Sequence, residues 1–316
     1  MTAYLGRRLI EMVPVVILVT TVSFALIFVL PGDPAMLIIG DRSAGSPELY
    51  ASLRRDLGLD RPVYVQYFDW LGRVLQGDLG RSTRDREPIV NGMKIRLPIT
   101  LELSALAMVL SLVIAIPAGI IAAVRPNSVW DMLGSVVALG GIAMPSFFLA
   151  ILLIYWLAVS LHLLPPSGYE RFADSPGRNL LLMILPAITL GLGLAGPLMR
   201  QVRSGLLEIM GQEYIMTARA KGLQPRVVLL GHALRNALIP IVTVIGLQVG
   251  RLLGGTVIVE TMFGIPGIGR WAVDSILLRD FPVVQAVCLV MAVGVLLANL
   301  LADLIYAVVD PRIGYR

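Results

Sequence analysis

Glu213-Tyr214-Ile215-Met216-Thr217-Ala218-Arg219-Ala220-Lys221-Gly222-Leu223 is a polar amphipathic stretch held between two long apolar runs, and its position decides how the rest of the chain is read. Helix-forming residues occupy its centre, Gly222 supplies a stop and Pro225 follows, the order in which helices terminate. Arg235-Asn236-Ala237-Leu238-Ile239-Pro240 then opens the next apolar run. A soluble helix placed there needs a partner in the water, so the stretch is expected to dock and not merely to connect.

The flanking runs set the fold class. Hydrophobic residues make up 57% of the 316 positions and charged residues 15%, where a soluble domain carries about a quarter charged; the mean hydropathy is +0.82. Roughly 18 apolar residues suffice to cross hydrocarbon as a helix. Six runs qualify: about Leu9 to Leu30, Ile99 to Val124, Leu133 to Leu161, Leu180 to Met199, Leu238 to Val259 and Val283 to Val309. The expected fold is an all-α polytopic membrane protein, one domain over 1–316 with six transmembrane helices, which places both termini on one side. The first run is too long for the apolar core of a signal peptide, and Pro31-Gly32-Asp33-Pro34 after it reads as a helix stop, so it is expected to be retained.

Arginine and lysine in the short connections give the sidedness. Arg7 and Arg8, Arg125, the group Arg200, Arg203, Arg219, Lys221, Arg226 and Arg235, and Arg312 with Arg316 are all expected in the cytoplasm. The opposite short loops carry only Arg171 and Arg178, then Arg270 and Arg279. Residues 31–98 form a nearly charge-balanced outer loop, with Lys94 and Arg96 running against the rule, and 200–236 a cytoplasmic segment. Within the outer loop Tyr64, Phe68, Leu71 and Leu75 recur at helical spacing after Pro62, a helix resting on the membrane or the bundle, until Gly77-Asp78-Leu79-Gly80 breaks it. The pI of about 9.6 suits basic loops beside anionic lipid, and no basic-aromatic alternation of the kind a nucleic acid would need is present.

Enzyme chemistry is not supported by the residues available. The two lysines, Lys94 and Lys221, follow no phosphate-cradling G-x-x-x-x-G-K-[ST] loop, so an ATPase would have to be a separate chain. Gly264-Ile265-Pro266-Gly267-Ile268-Gly269 lacks the order of a nucleotide loop and reads as a turn. His162 and His232 fall in different loops, which excludes a histidine metal cage or a Ser-His-Asp site, and the single cysteine, Cys288, lies in an apolar run. No catalytic, metal or cofactor site is expected.

Intramembrane polar groups remain. A charge at mid-bilayer costs about 2.5 to 3.5 kcal/mol on insertion scales and is turned inward. Arg251, Glu102 and Asp303, the last with Asn299 one turn before it, are the candidates for a translocation path or for internal pairing. Gly246-x-x-x-Gly250-x-x-x-Gly254 puts three small residues on one face of the fifth run, where backbones can approach closely; spacing leaves open whether the neighbour belongs to this chain.

Taken together, Arg7-Arg8-Leu9, Gly77-Asp78-Leu79-Gly80-Arg81-Ser82, Arg96-Leu97-Pro98-Ile99-Thr100-Leu101-Glu102-Leu103, Thr217-Ala218-Arg219-Ala220-Lys221-Gly222-Leu223, His232-Ala233-Leu234-Arg235-Asn236-Ala237, Glu260, Phe263, Pro266-Gly267, Arg279-Asp280-Phe281-Pro282 and Asp310-Pro311-Arg312-Ile313 resemble permease subunits of binding-protein-dependent ATP-binding-cassette importers, in the dipeptide, oligopeptide and nickel group. The resemblance implies a type I importer permease architecture with cytoplasmic termini in a bacterial plasma membrane. Its partners would be a second homologous permease, two ATPase subunits that hold the ATP and Mg²⁺, and an extracytoplasmic substrate-binding protein, with no cofactor in this chain. The family's EAA loop corresponds to Glu213, Tyr214, Thr217, Ala218, Arg219, Ala220, Lys221, Gly222 and Leu223, which would couple to the ATPase. Met216 stands where the first glutamate is expected and Thr217 where the first alanine is, so Glu213 is the nearest carboxylate. The expected activity is peptide import by alternating access. The alternatives are import of nickel chelates or glutathione, a stand-alone secondary transporter built on Arg251 and Asp303, or a membrane scaffold.

Overall fold

The computed structural model describes residues 2–29 and 60–309. Pro31-Gly32-Asp33-Pro34, the first part of the outer loop and the terminal group Asp310 to Arg316 lie outside the described residues. In chain order the helices are α1 (Thr2–Val29), α2 (Val63–Leu75), α3 (Ile89–Val124), α4 (Val129–Ala143), α5 (Ser146–Leu153, continuing as a π-helical turn Ile154–Ser160), α6 (Pro176–Met210) and α7 (Glu213–Ala220). A lead-in, Pro225–Val227 and a π-helical stretch Val228–Ala233, enters α8 (Leu234–Phe263), and α9 (Ile268–Leu277) and α10 (Phe281–Val309) follow. The β structure among the described residues is an isolated antiparallel bridge between Arg81 and Pro88.

Each of the six apolar runs is helical over most of its described length, with boundaries that depart from the expectation in instructive ways. Four helices are by themselves long and apolar enough to span: Ile89–Val124, Pro176–Met210, Val244–Phe263 and Phe281–Leu304. In the first run the apolar helical stretch is the shorter Ile10–Ala25. The third run, expected as one span from Leu133 to Leu161, is broken: Val129–Gly141 and Ser146–Ser160 meet at 108°. Met144 at the break is extended (φ −84°, ψ 121°), the conformation that the ring of a following proline, here Pro145, imposes on its neighbour.

The expected outer loop 31–98 is too long at its end, because α3 begins at Ile89 and continues through Pro98. Likewise the segment expected in the cytoplasm from Arg200 starts inside a helix. The α6 helix has 35 residues, about 52 Å at 1.5 Å per residue, against a hydrocarbon core of about 30 Å, so it runs on to Met210 as one rod despite Pro186 and Pro197.

The chain divides into two compact units, Met1–Leu5, Thr100–Ile265 and Val295–Arg316 in one, Gly6–Ile99 and Pro266–Gly294 in the other. The first is organised around α6. Ala195, Leu198, Met199 and Val202 of α6 pack with Ala115 and Ala122 of α3, Ala138 of α4 and Ile241 of α8. The small-residue face of α8 meets α10 of the same chain: a Cβ added at Gly246 would collide with Ala302 Cβ, and one at Gly250 would lie 3.3 Å from Val295 and 3.7 Å from Asn299 Oδ1. The open question about that face is thus answered within the chain for Gly246 and Gly250, whereas Gly254 has open space around it.

The second unit packs Ile89 and Met93 of α3 against Ile268 of α9 and Val283, Ala286 and Val287 of α10. Asp280, 5% exposed, fastens the loop before α3: it accepts from Ser82 Oγ at 2.5 Å, Thr83 N at 3.0 Å and Thr83 Oγ1 at 3.1 Å. Arg96, which runs against the charge rule, is laid over the Trp271 ring 4.5 Å from its centroid, a cation–π contact. The expected helix after Pro62 is α2, whose Tyr67 hydroxyl lies 2.8 Å from Thr20 Oγ1 of α1.

Candidate functional site

The polar stretch that opened the sequence reading folds as α7, closed by a glycine cap. Leu223 N donates to Ala218 O (3.4 Å) and Gly222 N to Arg219 O (2.9 Å), the paired bonds of a Schellman ending. Gly222 has φ +76°, a left-handed conformation that costs other residues about 1–2 kcal/mol. Glu213 in the first turn and Arg219 in the last both oppose the helix dipole favourably.

The two faces of α7 differ. Ile215 (0% exposed) and Ala218 (9%) are three apart and point the same way, into a core with Ala123 of α3, Leu206 of α6, Val228, Ala233 and Ala237. Tyr214 adds a polar tie, its hydroxyl accepting from Asn236 Nδ2 at 3.1 Å. Glu213, Tyr214, Met216, Thr217, Arg219, Ala220, Lys221, Gly222 and Leu223 are exposed. Ala218, grouped with the coupling residues from sequence, therefore faces the protein's own core and seats the helix, and the others remain exposed.

The membrane-embedded candidates scatter. Arg251 is exposed and has no ion-pair partner among the described residues. Asn299 faces Gly250, and Asp303 is half-buried on the same helix. Glu102 accepts from the Tyr169 hydroxyl at 3.1 Å, while its Oε1 is buried without a hydrogen-bond partner. Burial, and then the Glu102 charge, push the Tyr169 hydroxyl up to about 12, so this phenol stays a proton donor. The four residues do not converge on one site.

Several polar groups were not singled out by the sequence reading as intramembrane or pairing candidates. Glu260 is fully buried and accepts from Thr100 Oγ1 at 2.6 Å; lying one residue beyond the fifth apolar run, it did not count as intramembrane. Asp131 takes a two-pronged bond from Arg203, Nε to Oδ1 and Nη2 to Oδ2 at 2.7 Å each, and a third from Asn127 N at 2.9 Å. The capping pattern Ser128-x-x-Asp131 marks the start of α4, and Ser128 Oγ accepts from Asp131 N, but no local signal ties it to Arg203, 72 residues away. Beside this pair lies a cavity of about 540 Å³ with Ser135, Arg200, Gln201, Arg203 and Ser204 among its walls.

Long apolar helices, with the short polar α7 seated on the core that α3, α6 and α8 build, fit a polytopic membrane protein of the permease class. Residues 115–315 match the family described as binding-protein-dependent transport system inner membrane component, and residues 1–104 match its N-terminal companion. The chain belongs to that family. It is 41% identical, over the full length of both, to the dipeptide transport system permease protein DppB of Escherichia coli (strain K12). It is 42% identical, again end to end, to a putative peptide transport system permease protein of Brucella suis biovar 1. Among solved structures it is similar to a chain of the MetNI methionine ABC transporter in inward-facing conformations, with a TM-score of 0.59 over 71% of this chain and 99% of that one. At 20% identity that likeness speaks for the fold.

Proposed function

We propose that this chain is the permease subunit of an ATP-driven importer that takes di- or oligopeptides from an extracytoplasmic binding protein and releases them in the cytoplasm. The relatives' names support the peptide class, and the two-faced α7 carries the coupling: Ile215 and Ala218 are buried in the bundle while the opposite face is open. A helix so seated moves with α6 and α3 as a body. In this reading the open face docks on an ATPase subunit. ATP binding closes a pair of such subunits, the docked helices follow, and the bundle turns its path outward; hydrolysis returns it. Two ATPases require two docking helices, so a second, homologous permease completes the assembly. Six spans with both termini and 200–236 in the cytoplasm agree with the arginine distribution.

The test is purification and reconstitution. The tagged chain should bring down ATPase and second permease, and vesicles holding the complete set should take up a dipeptide only with ATP and binding protein present. Uptake by this chain alone on an ion gradient would defeat the proposal.

A further inference from the structure

We propose that the cavity beside Arg200 and Arg203 is a carboxylate site that holds the C-terminus of a peptide on the cytoplasmic side of the path. The inference rests on the peptide-import reading above. The cavity's volume, about 540 Å³, falls in the range of about 300–1,000 Å³ of small-ligand pockets, and α4, α6 and α8 each contribute to its walls through Ser135, Arg200 and Val244.

Its charge is what selects the ligand. Arg203 is neutralised by Asp131 through Nε and Nη2 at 2.7 Å. Arg200, three residues away on the same helix, is exposed and has no ion-pair or hydrogen-bond partner among the described residues. The cavity therefore carries one uncompensated guanidinium, held beside a second that is already oriented. A guanidinium presents a planar fork of donors that fits a carboxylate in two parallel bonds. Gln201 and Ser204 stand next to it as further polar wall.

The acid beside the cavity is Asp131, and its oxygens already accept from Arg203 and Asn127. No carboxylate stands among the cavity's walls to pair with an ammonium. The site therefore reads the C-terminal end of a peptide and is indifferent to its N-terminus. Its place on α6 also gives it a route to the motor: Arg203 lies seven residues before Met210, where α6 ends, about 10 Å along the same rod at 1.5 Å per residue, and α7 begins three residues later at Glu213.

The experiment uses the complete importer in lipid nanodiscs without binding protein, with saturation-transfer NMR of three probes: alanyl-alanine, its N-acetyl form and its C-terminal amide. The free and N-acetylated acids should bind alike, the amide at least about tenfold more weakly. Arg200→Gln should remove the preference for the acids, and Arg200→Lys should keep part of it. Equal binding of acid and amide to the unaltered importer, or a preference untouched in Arg200→Gln, would overturn the proposal. So would an Arg200-dependent signal seen only with phosphatidylglycerol in the disc, which would assign the charge to a lipid headgroup. Dipeptide uptake by the same importer reconstituted in sealed vesicles, with binding protein and ATP supplied, separates the two claims: uptake without an Arg200-dependent site defeats this inference alone, while no uptake of any peptide defeats the import reading.

Discussion

Gly222 shows how a single residue separates conformation from contact. Its φ of +76° strains most side-chain-bearing residues, yet a Cβ there would meet nothing within 4 Å. Gly222→Asn, which tolerates the left-handed region, should therefore keep most transport, and Gly222→Ala should weaken the end of α7 by about 1 kcal/mol. Gly222→Trp adds bulk to space that is open in this chain, so a much larger loss of uptake than in Gly222→Ala would report a partner lying over that surface. Equal uptake by the tryptophan and alanine variants would mean that nothing docks there. The glycine stop was legible because one residue type serves one backbone conformation. The inward aim of Ala218 was not, because it depends on Ile120, Ala123 and Leu206 arriving from elsewhere in the chain. Asp131 and Arg203 show the same limit: each is an ordinary charge beside an apolar run until the fold brings them together.

At the scale of elements, the seat of α7 and the α8–α10 contact are the places where packing should control function. Ile215 is fully buried, so Ile215→Ala should cost about 2–4 kcal/mol at that seat. Hydrogen exchange across 211–223 should quicken, and binding protein should stimulate ATPase activity less, while the spanning helices stay protected. Unchanged exchange would mean that α7 is held by something other than this core. Gly246 faces Ala302 so closely that Gly246→Leu must push α8 from α10, and overpacking of that kind costs about 1–3 kcal/mol; thermal unfolding of the purified importer should fall, whereas Gly254→Leu, with open space around Gly254, should leave it nearly unchanged. The helices themselves were readable from apolar length. Their ends were less so, since Pro98 and Arg200 looked like boundaries and proved to lie within continuous helices, while Pro145 breaks the run that looked whole.

For the whole molecule, composition and the length of the apolar runs carried most of the fold, because water and lipid sort residues by simple transfer energies. They could not show where paired charges meet. The central claim is that the exposed face of α7 is the surface on which the motor acts, and it can be tested in the assembled importer by site-directed cross-linking. Cys288 is first replaced by Ser, removing the chain's single thiol. Single cysteines are then placed at Met216 and Lys221 on α7 and at Leu277 at the end of α9, all exposed. Short cross-linkers should join the first two to the ATPase subunit, with a yield that changes when ATP is added, and leave the third unlinked to it. No ATPase product from Met216 or Lys221, or an equal one from Leu277, would contradict the account.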